Sequence, residues 1–250
     1  MKAIIEADNL TVCYGSSEAI KDITFSVYSG DFVGLTGPNG SGKTTVIKAL
    51  LGLLPITKGK ISLFGQTQKS FTDWGKIGYL PQKLSSLNPL FPASVEEVVF
   101  LGLLSKKKML KIITKDDKEK VQKILNALEI SDLKNKTLSE LSGGQQQRVM
   151  LARSLVAEPD VLIFDEPSTA LDPESREAFF ALIQKLNKEN GIAIILITHD
   201  IGCIGRFANK LMYLDKNLIY FGSFSEFCRS GKMSSYFGPD SQHIICHQHN

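Results

Sequence analysis

The sequence lacks most of the features that mark membrane, secreted or nucleic-acid-binding chains. Its longest apolar runs, such as 192–197, fall far short of the roughly 18 residues that a membrane span needs. Polar residues interrupt the N-terminal stretch before a signal-peptide core could form. A net charge of +3 is too small to indicate nucleic acid as a partner. No C-x-x-C pair occurs among its four cysteines, which favours reduced thiols in a cytoplasmic protein: Cys13, Cys203, Cys228 and Cys246.

A glycine-rich loop of the pattern G-x-x-x-x-G-K-[ST] organises the chain. It follows the apolar run 32–35 and precedes the helical stretch 46–51, so a strand and a helix frame it. Backbone N–H groups in such a loop converge on phosphate oxygens, and the helix adds the positive end of its dipole. Lys43 would reach the β- and γ-phosphates, and the Thr44 hydroxyl would bind Mg²⁺. The residues expected to contact the nucleotide here are Gly37, Pro38, Asn39, Gly40, Ser41, Gly42, Lys43, Thr44 and Thr45.

A second predicted anion site follows about a hundred residues later, in the string Leu-Ser-Gly-Gly-Gln at 141–145. A serine and two glycines at the start of a helix form a further N-terminus that can bind phosphate. The residues concerned are Ser142, Gly143, Gly144 and Gln145. Two phosphate cradles beside a single lysine-bearing loop require an explanation.

Two buried strands end in polar side chains that can do chemistry. The apolar run 161–164 ends in Asp165 and Glu166, and ligands of open α/β sheets bind at the carboxyl ends of strands. Asp165 would hold the Mg²⁺, either directly or through a water molecule, and Glu166 would take a proton from the attacking water. The run 192–197 leads to His199, which could contact a γ-phosphate.

The remaining patterns predict the elements around these motifs. Alternation over residues 2–14 predicts an edge strand of a small antiparallel sheet. Tyr14 at its end either stacks on an adenine base or only caps the sheet. The composition from 84 to 158 shifts toward helix, with Ser94 as an N-cap and Glu97 completing a capping box.

The order of these motifs resembles the nucleotide-binding subunit of ABC transporters over nearly the whole chain. The matching positions are Tyr14, 37–45, Gln82, 141–145, 161–166, 168–172 and His199. The resemblance implies that Tyr14 stacks on adenine and that Gln82 senses Mg²⁺ and the membrane partner. It also implies that 141–145 is the signature motif, that Asp172 belongs to the inter-subunit loop and that His199 is the switch histidine.

The resemblance further implies a fold and an assembly. The fold would be an α/β P-loop NTPase, with a RecA-like core, an antiparallel β-subdomain and an inserted helical subdomain. Its nucleotide-binding domain would span 1–235, with core 1–83 and 159–235, helical subdomain 84–158 and tail 236–250. Two copies would pair head to tail and enclose each ATP between one phosphate loop and the other copy's signature. Separate polytopic permease subunits would hold the dimer at the cytoplasmic face of the membrane, and no nucleic acid would take part.

The cargo is suggested by a smaller region. Residues 91–99, followed by Gly102 and Leu103, resemble the zinc/manganese/iron importer branch, which implies an extracytoplasmic metal-binding protein. The tail residues His243, Cys246, His247 and His249 are either zinc ligands or part of an extension without function. Alternatives are a non-transport ATPase of the same fold, for cluster assembly or cell-envelope coupling, a nucleic-acid-bound ATPase, and a P-loop kinase.

Overall fold

The computed structural model describes residues 2–82, 92–106, 112–167, 171–199 and 201–229. The chain divides into two compact units. Unit 1 holds the described residues up to Phe71 and from Gln184 onward, and unit 2 holds those from Thr72 to Ile183. Unit 2 is therefore inserted into the sequence of unit 1.

Unit 1 begins with an antiparallel sheet of strand order β2-β1-β4-β5. Its strands are β1 (Ala3–Tyr14), β2 (Ser17–Tyr28), β4 (Lys58–Leu63) and β5 (Gln66–Thr67). The prediction that residues 2–14 form an edge strand is wrong. Strand β1 pairs on one side with β2 and on the other with β4, whose Ile61 lies opposite Ala7. The partner β4 lies some fifty residues downstream, so the local alternation carried no information about it.

The second sheet of unit 1 carries the phosphate loop. Strand β3 (Phe32–Thr36) pairs in parallel with β8 (Ala193–Ile197) and with β9 (Lys210–Asp215), and β10 (Asn217–Ser223) forms an antiparallel hairpin with β9. All five residues of β3 and of β8 are buried, as the unbroken apolar runs predict. The unit's helices are α1 (Lys43–Leu50), α6 (Ile201–Phe207) and α7 (Phe224–Arg229).

Unit 2 combines a parallel strand pair with helices. Strand β6 (Ile77–Leu80) pairs with β7 (Val161–Asp165), and Leu80 lies opposite Phe164. Its helices are α2 (Val95–Leu101), α3 (Lys115–Ala127) and α4 (Gly143–Leu155). The residues of α5 (Pro173–Asn190) are divided between the units, and Phe179 of this helix packs edge-on against Phe164.

Helix starts in unit 2 follow local sequence signals. Ser94 caps α2 by accepting the N–H of Glu97, and the Glu97 carboxylate accepts the N–H of Ser94 at 2.8 Å, which confirms the predicted capping box. Hydrogen bonds from Ser94 lower the pKa of Glu97, the one from the Ser94 backbone N–H more than the one from its hydroxyl. Asp172 directly precedes α5 and caps it by accepting the Ser175 N–H at 2.9 Å.

Across these described ranges, no helix combines the length and the apolar character that a membrane crossing requires. The tail 236–250 and Phe91, the first residue of the predicted importer-like region, lie outside the described residues, as do 168–170 of the predicted inter-subunit loop.

Candidate functional site

The glycine-rich loop of unit 1 has the predicted strand–turn–helix setting. Gly37 and Gly42 have φ values of +146° and +96°, a region that favours glycine. A Cβ at Gly37 would overlap the carbonyl oxygen of Leu214, and one at Gly42 would overlap the Ile20 side chain. The glycines are therefore required by backbone conformation and by close packing together.

Two side chains of this loop have the properties of a phosphate site. The buried Lys43 ammonium donates to the carbonyl oxygens of Gly37 and Pro38, both at 2.9 Å, so its charge lies against the loop. The hydroxyl oxygen of Ser41 is buried without a hydrogen-bond partner in the part of the chain that the structure describes. A buried hydroxyl that lacks a partner is costly, and a phosphate oxygen would satisfy it.

Strand pairing aligns His199 with the same edge of the unit 1 sheet. Strands β3 and β8 run parallel, and the Thr198 N–H donates to the carbonyl oxygen of Leu35 at 3.2 Å. His199 is exposed just beyond the end of β8, as the loop is just beyond the end of β3. Tyr14, at the end of β1, is 53% exposed and so presents a ring to solvent.

In unit 2, Asp165 occupies the carboxyl end of β7. It is only 3% exposed, and its neighbour Tyr79 lies on the paired strand β6. Burial, and secondarily the negative charge of Asp165, raise the pKa of Tyr79 to about 12. A carboxylate held in such surroundings favours a bound cation.

Gln82 and Glu166 come together although 84 residues separate them. The Gln82 Nε2 donates to Glu166 Oε2 at 2.6 Å, immediately beyond the paired ends of β6 and β7. Glu166 has a left-handed backbone, with φ +49°. This conformation is uncommon for a residue with a side chain, and functional sites often contain such strain.

The 141–145 string begins α4 in the predicted manner. The Ser142 hydroxyl accepts the N–H of Gln145 at 3.3 Å, and Gln145 Oε1 accepts the N–H of Ser142 at 3.0 Å. Ser142 and Gly143 are exposed. The first N–H groups of the helix, at Gly143 and Gly144, have no acceptor within the helix, which suits them to bind an anion.

One polar residue of this region was not predicted from sequence. Gln147 is 3% exposed on α4, and its Nε2 donates to the carbonyl oxygen of Pro167 at 2.6 Å. Met150, Leu151 and Ser154 lie three, four and seven residues further on, and all are buried. The signal that could have identified Gln147 is its position: it begins the series of residues at helical spacing that form the buried face of α4.

No group of three or more histidine, cysteine or acidic side chains that could hold a metal ion is found within the described ranges. The prediction of zinc ligands in the tail, at His243, Cys246, His247 and His249, concerns residues beyond those ranges.

Comparison with known proteins now defines the class. A family model described as ABC transporter matches residues 20–169 of this chain. The chain belongs to the ABC transporter family, as its motif order predicted.

Particular relatives narrow the comparison. The chain is 43% identical to the zinc uptake system ATP-binding protein ZurA of Listeria monocytogenes, over 91% of this chain and 88% of that protein. It is 36% identical to the manganese transport system ATP-binding protein MntB of Bacillus subtilis, over 87% of this chain and 86% of that protein.

Solved structures agree with this assignment. The fold matches cbiO1 of Clostridium perfringens, part of the ABC transporter complex cbiONQ, with a TM-score of 0.78, 28% identity and coverage of 98% of this chain and 99% of that one. It also matches the dimeric bacterial ABC transporter cassette MJ0796, with a TM-score of 0.75, 30% identity and coverage of 88% and 98%. These matches confirm the predicted α/β P-loop fold, whereas the roles assigned to single residues and the boundaries of the helical subdomain stay predictions.

Proposed function

We propose that this chain is the ATP-binding and ATP-hydrolysing subunit of an ABC transporter that imports a divalent metal ion. The observation that carries the ATPase assignment is the hydrogen bond between Gln82 and Glu166 at the end of the β6–β7 pair. It brings a carboxylate base and an amide to one place in a chain that also contains a complete phosphate loop. ADP and phosphate are bound in a related cassette of 29% identity, MJ0796 in a post-hydrolysis state.

The nucleotide would bind through the residues whose geometry fits a triphosphate. The Lys43 ammonium exchanges its carbonyl partners for the β- and γ-phosphates, and the Ser41 hydroxyl gains an acceptor. Among the remaining loop residues, Asn39 and Gly40 supply backbone N–H groups to the phosphates, whereas Pro38 has no N–H and contributes by fixing the backbone of the loop. Thr45 follows Thr44 in the first turn of α1. Tyr14 stacks on the adenine base.

Magnesium fits the donors that the predicted residues offer. Thr44, Gln82 and Asp165 provide hydroxyl, amide and carboxylate oxygens, the ligands that Mg²⁺ prefers. Because Gln82 donates through Nε2, its Oε1 is the atom that can face a cation. Bound there, Mg²⁺ would neutralise charge on the phosphate oxygens.

Hydrolysis needs a water activated beside the γ-phosphate. Glu166 takes a proton from that water, the water oxygen bonds to phosphorus, and the bond to the bridging oxygen breaks to leave ADP and phosphate. His199 contacts the γ-phosphate and holds it in line.

The second phosphate cradle is explained by a dimer. Two copies pair head to tail, so that the phosphate loop of one and Ser142, Gly143, Gly144 and Gln145 of the other grip the same ATP. Hydrolysis removes the shared γ-phosphate contact, and the dimer opens. Asp172, whose pKa is lowered chiefly by the backbone N–H of Ser175, would belong to the loop that contacts the other subunit.

A metal cargo is supported by the relatives, which are ATP-binding proteins of zinc uptake and manganese transport systems. The chain would then act with separate permease subunits and an extracytoplasmic metal-binding protein, at the cytoplasmic face of the membrane.

The ATPase proposal is tested with the full-length chain, by phosphate release with Mg²⁺ and ATP. We expect Lys43→Met to lower ATP affinity and turnover by at least about a hundredfold, because the charge-assisted phosphate contacts are lost. Lys48→Met, on an exposed lysine of the same helix, is the matched control and should behave like the wild type. Equal activity of the Lys43 and Lys48 variants would disprove phosphate binding by this loop.

The transport proposal is tested in cells. Deletion of the gene should lower cellular zinc or manganese, and the chain should co-purify with a polytopic membrane protein. Normal metal content together with co-purification of a soluble enzyme would favour the non-transport ATPase instead.

A further inference from the structure

A polar side chain interrupts the buried face of α4. Gln147 is 3% exposed, and Met150 and Leu151 follow it one turn later on that face. Burying an amide is unfavourable unless it forms hydrogen bonds, so a glutamine here must serve a purpose that leucine or methionine would not. Its side-chain donor reaches the carbonyl oxygen of Pro167 at 2.6 Å.

Pro167 directly follows Glu166, and the backbone of Glu166 itself is strained. Glu166 has a φ of +49°, which costs about 1–2 kcal/mol for a residue with a Cβ. The proline that follows also disfavours helical backbone conformations of Glu166 and favours extended ones. Contacts outside the turn must therefore hold this conformation.

Two hydrogen bonds of this kind are among the contacts described in unit 2. Gln82 Nε2 binds the Glu166 carboxylate from one side, and Gln147 Nε2 binds the next carbonyl along the chain. The hydrogen bond from Gln82 holds the Glu166 side chain. Of the two, only the hydrogen bond from Gln147 holds the backbone, and the backbone sets the direction in which the Glu166 side chain points.

We infer that Gln147 is a positioning residue for hydrolysis, which holds the Glu166–Pro167 backbone so that the Glu166 carboxylate faces the attacking water. This inference rests on the proposed role of Glu166 as the base. Because Gln147 lies one turn into the helix that Ser142 caps, the same hydrogen bond ties the signature segment to the base of its own subunit.

The test removes the donor while keeping the volume of the side chain. Gln147→Met is nearly isosteric and cannot donate, and Gln147→Asn keeps an amide but is one methylene too short to reach Pro167. Gln122→Met is the control, since Gln122 of α3 donates to Asn126 at 2.9 Å, away from this turn. Each full-length variant is assayed for kcat, for KM and equilibrium affinity for ATP, and for Tm.

We expect both Gln147 variants to lower kcat about five- to tenfold, the loss that one hydrogen bond to the turn would cause. KM and ATP affinity should stay within about twofold of the wild type, because substrate is not bound by this contact. Gln122→Met should retain the wild-type kcat.

An unchanged kcat in both folded Gln147 variants would overturn the inference, as would a fall in kcat matched by a rise in KM or by a proportionate loss of Tm. Failure of the proposed function gives a different result, since wild type and Gln122→Met would then also release no phosphate. If Gln147→Met does not fold, the Asn variant alone decides by the same criteria.

Discussion

Replacing Glu166 with glutamine removes a proton acceptor with little change to the structure around it. The two side chains have the same shape, and a glutamine Oε1 can still accept the Gln82 N–H that Glu166 accepts at 2.6 Å. The φ of +49° costs glutamine and glutamate about the same, because the strain arises at Cβ. The variant therefore isolates the chemistry from the fold.

The size of the effect follows from the role of the carboxylate. General-base catalysis contributes about 10²–10⁴ in rate, which corresponds to about 2.7–5.4 kcal/mol of activation free energy. We expect kcat to fall by this factor while ATP affinity and Tm stay unchanged, since neither the phosphate loop nor the core is altered. ATP that is bound but not hydrolysed should hold two copies together.

The assay pairs phosphate release with size-exclusion chromatography in Mg²⁺ and ATP. Glu158→Gln is a close control, because Glu158 lies in the same unit, is exposed and has a φ of +50°. We expect the Glu166 variant to elute as an ATP-dependent dimer with almost no turnover and the Glu158 variant to match the wild type. Turnover of the Glu166 variant within about threefold of the wild type would refute the base role.

Three further predictions address other parts of the molecule. Ser142→Arg should abolish phosphate release while one copy still binds ATP in a fluorescence titration; full turnover would exclude a shared site. Gly37→Ala should lower the free energy of unfolding, measured by chemical denaturation, by at least about 2 kcal/mol, because the new Cβ would overlap the Leu214 carbonyl oxygen. Gly40→Ala is the control: Gly40 has a φ of +80° but open space around it, so this variant should lose only about 1 kcal/mol. Equal losses in the two variants would contradict the overlap. The pKa of Tyr79 is raised to about 12, so the folded state holds this proton more tightly than the unfolded state does. The contribution of Tyr79 to the free energy of unfolding should therefore be fully present below pH 10 and be lost as the pH rises through 12. Tyr79→Phe should make the free energy of unfolding fall less steeply over this pH range in alkaline denaturation curves, and an unchanged slope would count against the prediction.

Features set by neighbouring residues could be predicted accurately. The loop at 37–45 and the capping box of Ser94 and Glu97 each depend on residues within about ten positions of one another. The edge position predicted for residues 2–14 was wrong for the complementary reason. Whether a strand lies at an edge depends on a partner far along the chain, here β4.

The sequence by itself determined the phosphate loop, the helix caps and the buried strands, because local backbone preferences and apolar periodicity specify them. Only the tertiary structure decided that Gln82 reaches Glu166 and that Gln147 reaches Pro167. These pairs span 84 and 20 residues, and each depends on how a strand or helix packs within unit 2. The backbone preference of a glutamine is the same whichever group its side-chain amide contacts. The hydrogen-bond partner of that amide is therefore set by tertiary packing and not by the neighbouring residues in sequence.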